Sequence, residues 1–380
     1  MPASKRAGTL MTQPAQYRAF HPAPLPPRPS LAMEGDLQRA LSRADRALGR
    51  LDGSVATLPN PDLFVLMYVR KEAVLSSQIE GTQSSLNDLL AAEAELTGAD
   101  PFGDVDEVVN YVGAMNHGLE RLGTLPVSVR LIKELHGRLL QGVRGDNLEP
   151  GELRRSQNWI GPAGCGLNGA IFVPPPPHIV PQALSDLERF LHADDDLPLL
   201  IKVGLAHAQF ETIHPFLDGN GRVGRLLITF LLCEREVLIR PVLYLSHYLK
   251  AHRQIYYDLL QRVRDDGNWE AWLRFFLDGV AEVSNEATDT ARRILQLRED
   301  HRRIIMQQMD RSSGRGHQLL DHLYKSPITS VNAVAEFTGL SFGAANNLIE
   351  RFERAGILEE ITGNARNRRY KYASYVALFS

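Results

Sequence analysis

Apolar residues recur at helical spacing along most of this chain, beginning near Leu37. Residues three and four positions apart share one face of an α-helix, so the pattern predicts amphipathic helices that pack on a common core. Glycine and proline fill the gaps between the apolar segments, as expected where helices end. The predicted helices cover residues 37–51, 63–79, 86–96, 105–122, 128–143, 181–192, 199–213, 222–236, 246–264 and 269–308. The sequence therefore predicts a mainly α-helical protein.

Two segments interrupt this pattern. Residues 1–35 contain repeated prolines and no periodicity, which predicts an N-terminal arm that is flexible or draped over the surface, without a fold of its own. Residues 155–173 contain two short extended runs around a glycine-rich turn, and four prolines follow at 174–177. This second pattern predicts a β-hairpin attached to the helical body.

The pattern changes again after the polar, glycine-containing segment 311–316, which we interpret as a linker. Three further helices are predicted near residues 317–324, 331–338 and 342–355. Extended runs follow at 357–362 and 369–372, on either side of a turn at Gly363. Three helices followed by a two-stranded ribbon are the outline of a winged helix-turn-helix module.

The composition is typical of a globular protein without a strong overall charge. Lys and Arg total 42 against 45 Asp and Glu, a net charge of −3, so any nucleic-acid binding has to rest on a local patch. Cys165 and Cys233 are too few for a disulfide framework or a thiolate zinc site, which favours a reducing compartment. The apolar run at 226–233 is far shorter than the ~18 residues that span a bilayer. With no signal-peptide pattern near the start, we expect a cytoplasmic protein.

Candidate chemistry is concentrated in the segment 214–225, His-Pro-Phe-Leu-Asp-Gly-Asn-Gly-Arg-Val-Gly-Arg. The run Gly219, Asn220 and Gly221 immediately before a predicted helix can point consecutive backbone N–H groups inward, which makes an anion site. Arg222 and Arg225 are three residues apart and share a face of the first helical turn. Two cations at the positive end of a helix dipole indicate a bound polyanion.

Two further side chains of this segment suit phosphate chemistry. Asp218 is a hard oxygen ligand of the type that Mg²⁺ takes when it also bridges substrate phosphates. His214 has an ordinary pKa near 6.5 and can take a proton from an incoming hydroxyl at neutral pH. Each residue alone is also typical of an ordinary turn, but the combination indicates a nucleotide site.

The segment resembles the His-Pro-Phe-x-Asp/Glu-Gly-Asn-Gly-Arg-x-x-Arg motif of Fic proteins at every defined position. The resemblance implies transfer of AMP from ATP to a Ser, Thr or Tyr hydroxyl of a protein, with release of pyrophosphate. It implies that His214 is the general base and that Asp218 is a Mg²⁺ ligand. Gly219, Asn220 and Gly221 would bind the α- and β-phosphates. Arg222 would clamp the phosphates and Arg225 the γ-phosphate.

The resemblance extends beyond this motif. Residues 128–279 look like the Fic helical core, and residues 155–173 look like the flap on which a target segment adds a strand. Tyr256 and Tyr257 fall where relatives line the adenine pocket, although tyrosines on a helix are also ordinary core residues. The implied organisation is a flexible arm at 1–35, a helical N-terminal region with an inhibitory helix at 36–125, a Fic catalytic domain at 126–283, a connecting helix and linker at 284–315, and a winged-helix domain at 316–380.

A second motif, Ser76-Ser-Gln-Ile-Glu80-Gly81, lies at the end of a long apolar helix. Ser76 and Glu80 are four residues apart, so both side chains can reach one partner. The pattern resembles the inhibitory Ser/Thr-x-x-x-Glu-Gly/Asn motif of Fic proteins, which implies that Glu80 pairs with Arg225. A carboxylate there would take the place of the γ-phosphate and keep basal activity low. In some relatives the same glutamate supports removal of AMP, and that activity stays open as an alternative.

The C-terminal residues support two interpretations. Basic residues gather at 364–371, the predicted wing, and the predicted recognition helix offers Asn346 and Asn347 to bases. The same helix contains Glu350 and Glu353, which repel phosphates. The module 316–380 could therefore bind DNA, dock a protein or form a homodimer. For the whole protein, the alternative is a transcriptional regulator or toxin-antitoxin component that uses the Fic fold as a nucleotide sensor. Transfer of another phosphate-linked group and self-modification are further alternatives.

Overall fold

Among the residues that the structure describes, the N-terminal region contains four helices. The protein is described by a computed structural model that covers residues 5–58, 61–95, 104–162, 164–309 and 313–379. Its first helices are α1 (Asp36–Ala56), α2 (Pro61–Ile79), α3 (Leu86–Glu93) and α4 (Val105–Leu122). The Ser85 side chain caps α3 by accepting from the Asp88 N–H, and the Asp88 carboxylate accepts from the Ser85 N–H in return. This reciprocal capping box satisfies donors that a helix start leaves free and sets where α3 begins.

Seven helices form the central body. They are α5 (Val129–Leu139), α6 (Val180–His192), α7 (Leu199–Ile213), α8 (Asn220–Glu234), α9 (Ser246–Ala251), α10 (Arg253–Asp266) and α11 (Trp269–Met309). Helix α7 is buried along nearly its whole length and packs against α6, α8, α10 and α11. The prediction of a mainly α-helical protein is confirmed.

One predicted helix is divided into two, and another ends earlier than the sequence pattern indicated. The predicted helix 246–264 is divided at His252, whose φ of −114° and ψ of 34° lie outside the helical region. The predicted helix 128–143 stops at Leu139, and Gly142 then adopts a φ of 70°. Apolar periodicity continues through both places, so periodicity alone does not mark these breaks.

The N-terminal region packs closely on the body. Helix α1 lies along α11, and α2 contacts both α4 and α9. Buried apolar side chains from both parts join one continuous core. As a result, the end of α2 is held near the start of α8, where the two predicted motifs meet. Within the described ranges, none of the helices combines the length and apolar character that a bilayer crossing needs.

The predicted flexible arm is instead an ordered hairpin over part of its length. Strands β1 (Gly8–Thr12) and β2 (Arg18–Pro22) pair antiparallel, with Leu10 opposite Phe20. Phe20 is buried, and Arg6 forms an ion pair with Glu270 of α11 at 2.7 Å. Pro14 lies in the turn between the strands and Pro22 at the end of β2, where a missing N–H costs no ladder hydrogen bond.

The segment 155–173 also differs from its prediction as a β-hairpin. This flap segment contains a single antiparallel bridge, between Ile160 and Phe172, and a short 3₁₀ turn at Leu167–Gly169. Glycine-rich sequence weakens strand pairing, which explains why no longer ladder forms in the described part of the segment. The Phe20 N–H donates to the Val173 carbonyl at 2.9 Å, so the N-terminal hairpin lies directly against the flap segment.

The C-terminal module contains four helices and a small sheet. Its elements are α12 (Ser313–Lys325), β3 (Ile328–Thr329), α13 (Val331–Thr338), α14 (Phe342–Arg354), β4 (Glu359–Glu360), β5 (Tyr370–Lys371) and α15 (Ala373–Val376). The strands are antiparallel in the order β3, β5, β4, so the predicted ribbon gains a third strand. The winged-helix assignment stays a prediction.

The predicted linker at 311–316 is mostly not a linker. Arg311 and Ser312 lie outside the described residues, but Ser313–Gly316 is the first turn of α12. A β-carbon on Gly316 would lie 2.7 Å from Ile305 Cγ2, so this glycine permits close helix packing. Helix α11 runs without interruption across residue 283, which places the predicted domain boundary inside one helix.

Candidate active site

The loop between α7 and α8, residues 214–219, is shaped by two left-handed residues and one side chain. His214 ends α7 with φ 49° and ψ 61°, and Gly219 precedes α8 with φ 74°. The Asn220 amide donates to the Phe216 carbonyl and accepts from the Phe216 N–H, both at 2.9 Å. Because the Asn220 side chain is committed to closing this loop, Asn220 can offer an anion its backbone N–H but not its side chain.

His136 supports the loop from α5, and sequence reasoning missed it. Its Nδ1 accepts from the Gly151 N–H at 2.8 Å, so the proton sits on Nε2, which donates to the Asp218 carbonyl at 3.1 Å. The ring stacks on Phe216 with centroids 3.7 Å apart. Burial lowers the pKa of His136 to about 4, so the ring stays neutral and this donor direction is maintained.

Arg154 and Asn158 hold the other end of the loop and were also missed. The buried Arg154 Nε donates to the His214 carbonyl at 2.9 Å, and its Nη2 donates to the Pro175 carbonyl at 2.5 Å. The Asn158 amide donates to the Phe216 carbonyl at 2.8 Å. The start of the flap segment is therefore hydrogen-bonded directly to the loop that contains His214, the predicted general base.

His214 itself is neutral in this environment. Burial, followed by the nearby charges of Arg264 and Arg154, lowers the pKa of His214 to about 3. A neutral imidazole has a free lone pair and can accept a proton, as general-base catalysis requires. His214 as a whole residue is partly exposed to solvent, although its Nδ1 is buried.

Arg225 is buried and bound to the second motif from two sides. Its Nη2 forms an ion pair with Glu80 Oε1 at 2.6 Å, and its Nε donates to Ser76 Oγ at 2.8 Å. Burial alone would raise the pKa of Glu80, but the charge and hydrogen bond of Arg225 outweigh it and hold that pKa below its usual value. Gly81 adopts φ 106°, a conformation open to glycine that ends the turn after α2 and leaves Glu80 facing α8.

Glu80 also occupies the N-terminal end of α8. A β-carbon on Gly221 would overlap Glu80 Oε1 and would lie 2.9 Å from Arg225 Nη1. The carboxylate thus sits where the helix N-terminus favours an anion. Glu80 and a phosphate group cannot both fill this space.

Glu72 anchors helix α2, which carries the predicted inhibitory motif at its end. Glu72 lies four residues before Ser76, so both side chains share one face of α2, and Glu80 follows in the turn directly after the helix. Glu72 accepts from the Ser246 N–H at 3.1 Å and from the Ser246 hydroxyl at 2.5 Å. Burial raises the pKa of Glu72 to about 7. These contacts join α2 to the start of α9 and set the position from which Glu80 projects.

Arg222 and Asp218 complete the predicted site. The Arg222 side chain is fully buried, and its Nη1 donates to Glu107 Oε2 of α4 at 2.9 Å. Asp218 is about one-third exposed, with Oδ1 accepting from the Gly219 N–H at 2.6 Å. A partly exposed carboxylate beside an anion site suits a Mg²⁺ ion that takes its other ligands from phosphates and water. Among the described residues, no group of three or more His, Cys, Asp or Glu side chains could hold a metal by itself.

The two tyrosines of α10 occupy different environments. Tyr256 is buried, and its hydroxyl donates to Nε2 of His207, whose Nδ1 donates to the Gly224 carbonyl. Tyr256 is therefore a core residue. Tyr257 is 39% exposed, with the Arg253 guanidinium 5.6 Å from its ring centroid, and its assignment to an adenine pocket stays a prediction.

Comparison with known proteins gives two family matches. Residues 38–120 match the model described as Fic/DOC family N-terminal, and residues 126–232 match the model described as Fic/DOC family. A probable protein adenylyltransferase of Aquifex aeolicus is 29% identical over 50% of this chain and 56% of its own length. The protein adenylyltransferase Fic of Culex quinquefasciatus is 33% identical over 40% of this chain and 27% of its own length. This chain therefore spans only part of the relatives that it matches.

A solved structure gives a broader match at the level of the fold. A Fic family protein from Desulfovibrio desulfuricans superposes with a TM-score of 0.59 and 20% sequence identity. The superposition covers 91% of this chain and 98% of that chain. At this identity the likeness concerns the fold alone.

Proposed function

Because this chain belongs to the Fic/DOC family, we propose that it is a protein adenylyltransferase that transfers AMP from ATP to a Ser, Thr or Tyr hydroxyl. The observation that carries the proposal is the juxtaposition at the start of α8. There, a neutral His214, the Asp218 carboxylate and two buried arginines surround a helix N-terminus that already holds an anionic side chain. Curated relatives named protein adenylyltransferases support the same reaction.

ATP binds through its phosphates in this proposal. The backbone N–H groups of 219–221 receive the α- and β-phosphates, Arg222 clamps them, and Arg225 receives the γ-phosphate. Asp218 holds Mg²⁺, which when bound neutralises phosphate charge and lowers the barrier to nucleophilic attack. Tyr257 borders the adenine.

The reaction is a single displacement at the α-phosphorus. His214 takes the proton of the target hydroxyl as the hydroxyl oxygen forms a bond to that phosphorus. The bond from the α-phosphorus to the oxygen bridging it to the β-phosphorus breaks, and pyrophosphate leaves with the electron pair. Arg154 and Asn158 support this step because they fix the backbone around His214.

Glu80 inhibits the enzyme by competing for Arg225. Its carboxylate pairs with the guanidinium that the γ-phosphate needs and fills the space over Gly221. ATP then binds weakly, or with its α-phosphate misaligned for attack. Low basal activity follows from this arrangement.

The protein substrate docks on the flap segment by main-chain pairing. The exposed apolar side chains of Trp159 and Ile171 on this segment support the proposal, since they offer contacts to an extended partner. The Val173 carbonyl accepts from Phe20 in this structure, so the partner has to pair elsewhere on the segment or displace the N-terminal hairpin.

Intact-mass spectrometry with each nucleotide triphosphate tests the function. Glu80→Gly protein incubated with ATP and Mg²⁺ is expected to gain the mass of AMP by self-modification, or to label a protein in a lysate. His214→Ala and the double variant are expected to incorporate nothing. A different added mass would identify another transferred group, and equal labelling in all variants would contradict the mechanism.

A second candidate function is DNA binding by the C-terminal module. A cavity of about 470 Å³ lies between the two helices α13 and α14 and the predicted wing, and its lining includes Asn332, Asn346, Arg366 and Arg368. Amide and guanidinium groups in one concave surface suit base edges and phosphates. A gel shift on the upstream DNA of its own gene that weakens steeply with salt supports this function. Binding that does not respond to Arg366→Ala together with Arg368→Ala would argue against it.

A further inference from the structure

The buried Arg222 has unsatisfied hydrogen-bonding capacity. Its side chain has no exposure to solvent, and only Nη1 makes a hydrogen bond, to Glu107. Its Nε and Nη2 have no hydrogen-bond partner among the described residues, and Nη2 lies 3.8 Å from Asp218 Oδ1. Leaving such atoms without a hydrogen bond is costly, so these two guanidinium nitrogens at the start of α8 indicate that a ligand completes their bonding.

Glu107 is a fixed partner for Arg222. It lies in the first turn of α4, where the helix dipole stabilises a carboxylate. Its side chain is only 7% exposed, and Arg144 Nε approaches its second oxygen at 3.4 Å. With contacts to both oxygens, the carboxylate has little freedom to move away from Arg222.

Glu107 and Glu80 act on the two arginines in different ways. Glu80 fills the space over Gly221, and the three atoms nearest to that space belong to Glu80 and Arg225. Glu107 is not among these atoms, yet it bonds Arg222. It can therefore hold the arginine without taking the place of a phosphate.

We propose that Glu107 is a positioning residue that fixes Arg222 through Nη1, so that Nε and Nη2 are directed at the phosphates of the bound nucleotide. The inference deepens the proposed function and rests on it. It means that the N-terminal region has two opposite effects on the site, since its Glu80 inhibits the enzyme and its Glu107 prepares a phosphate clamp. Removing the whole region would lift the inhibition but would also weaken nucleotide binding.

The test uses the full chain with Glu80→Gly, so that inhibition does not mask the effect. Glu107→Ala and Glu107→Gln are added to this background, and KM for ATP, kcat for AMP incorporation, ATP affinity by calorimetry and the melting temperature are measured. Glu134→Ala is the matched control, because Glu134 pairs with Arg121 on the protein surface. Glutamine keeps an acceptor for Nη1 and tests whether the contact itself matters.

We expect Glu107→Ala to raise KM and weaken ATP binding by roughly tenfold, the usual effect of losing a charge-assisted hydrogen bond. Glu107→Gln should lie between the alanine variant and the parent, and Glu134→Ala should leave KM unchanged. A lower melting temperature with an unchanged KM would overturn the positioning role. Higher activity in Glu107→Ala would make Glu107 a second inhibitor instead. Absence of AMP incorporation by the Glu80→Gly parent would contradict the proposed function, not this inference alone.

Discussion

The Glu80 carboxylate lies over the α-carbon of Gly221, in the space that a β-carbon would occupy. Glycine at this position is what allows the end of α2 to reach the first turn of α8. The same bare backbone is what a phosphate needs in order to approach the helix N-terminus. In the proposed function, Glu80 and the nucleotide therefore both depend on Gly221, and its substitution should affect both.

Gly221→Ala should displace Glu80 without activating the enzyme. The added methyl overlaps Glu80 Oε1, which weakens the pair with Arg225, but it also fills the phosphate site. We expect no gain in AMP incorporation and weak ATP binding, even when Glu80→Gly is present. The comparison of ATP affinity between the single and double variants measures this. Activation equal to that of Glu80→Gly would show that phosphates do not use this backbone.

Ser76→Ala should release part of the inhibition. The Ser76 hydroxyl accepts from Arg225 Nε at 2.8 Å, so its loss frees one side of the guanidinium while Glu80 stays in place. Hydrogen bonds to charged groups contribute about 1.5–3 kcal/mol, so we expect activity several-fold above wild type and below Glu80→Gly. Ser77→Ala is the control, because the buried Ser77 hydroxyl has no hydrogen-bond partner among the described residues. Equal rates for both alanine variants would contradict a role for Ser76.

Arg154→Ala should reduce kcat more than it changes ATP affinity. The Arg154 guanidinium holds the His214 carbonyl, and its loss lets the left-handed turn at His214 shift. A displaced base of this kind commonly costs on the order of a hundredfold in rate. Single-turnover labelling in the Glu80→Gly background, alongside ATP affinity, separates the two effects. Arg155→Ala, which changes an exposed neighbour, should behave like the parent.

Stability should fall as pH rises through the range from about 4.5 to about 7, partly because of Glu211. Burial raises the pKa of Glu211 to about 7, so the folded protein retains a proton that the unfolded chain releases near pH 4.5. The effect is complete above pH 7 and amounts to on the order of 3 kcal/mol. Glu211→Gln should remove it, and should stabilise the protein more at pH 8 than at pH 5. Urea unfolding at both pH values measures the difference, with exposed Glu120→Gln as the control. An equal shift at both pH values would contradict a buried, protonated Glu211.

Much of the helical architecture could be predicted because helix formation is a local property. Helices α4, α7 and α13 begin and end where apolar periodicity and the helix start and stop signals predicted. The N-terminal hairpin could not be predicted, since its strands are stabilised by contacts of Phe20 with the distant flap segment. Gly316 was predicted to lie in a linker but lies in α12. Its role could not be predicted for a similar reason, because its neighbours Ile305 and Met309 belong to another helix.

The sequence by itself determined which chemical groups stand at the α7–α8 loop: His214, Asp218, three residues that can present backbone N–H groups, and two arginines. These groups are adjacent in the chain, so their order alone brings them together at a helix start. The tertiary structure alone decided which side chains contact them from afar. His136, Arg154 and Glu107 are each separated from the loop by about 60 to 115 residues, and they reach it because their own elements pack around α8. Local sequence encodes the reactive groups, whereas long-range packing sets their charge, orientation and partners.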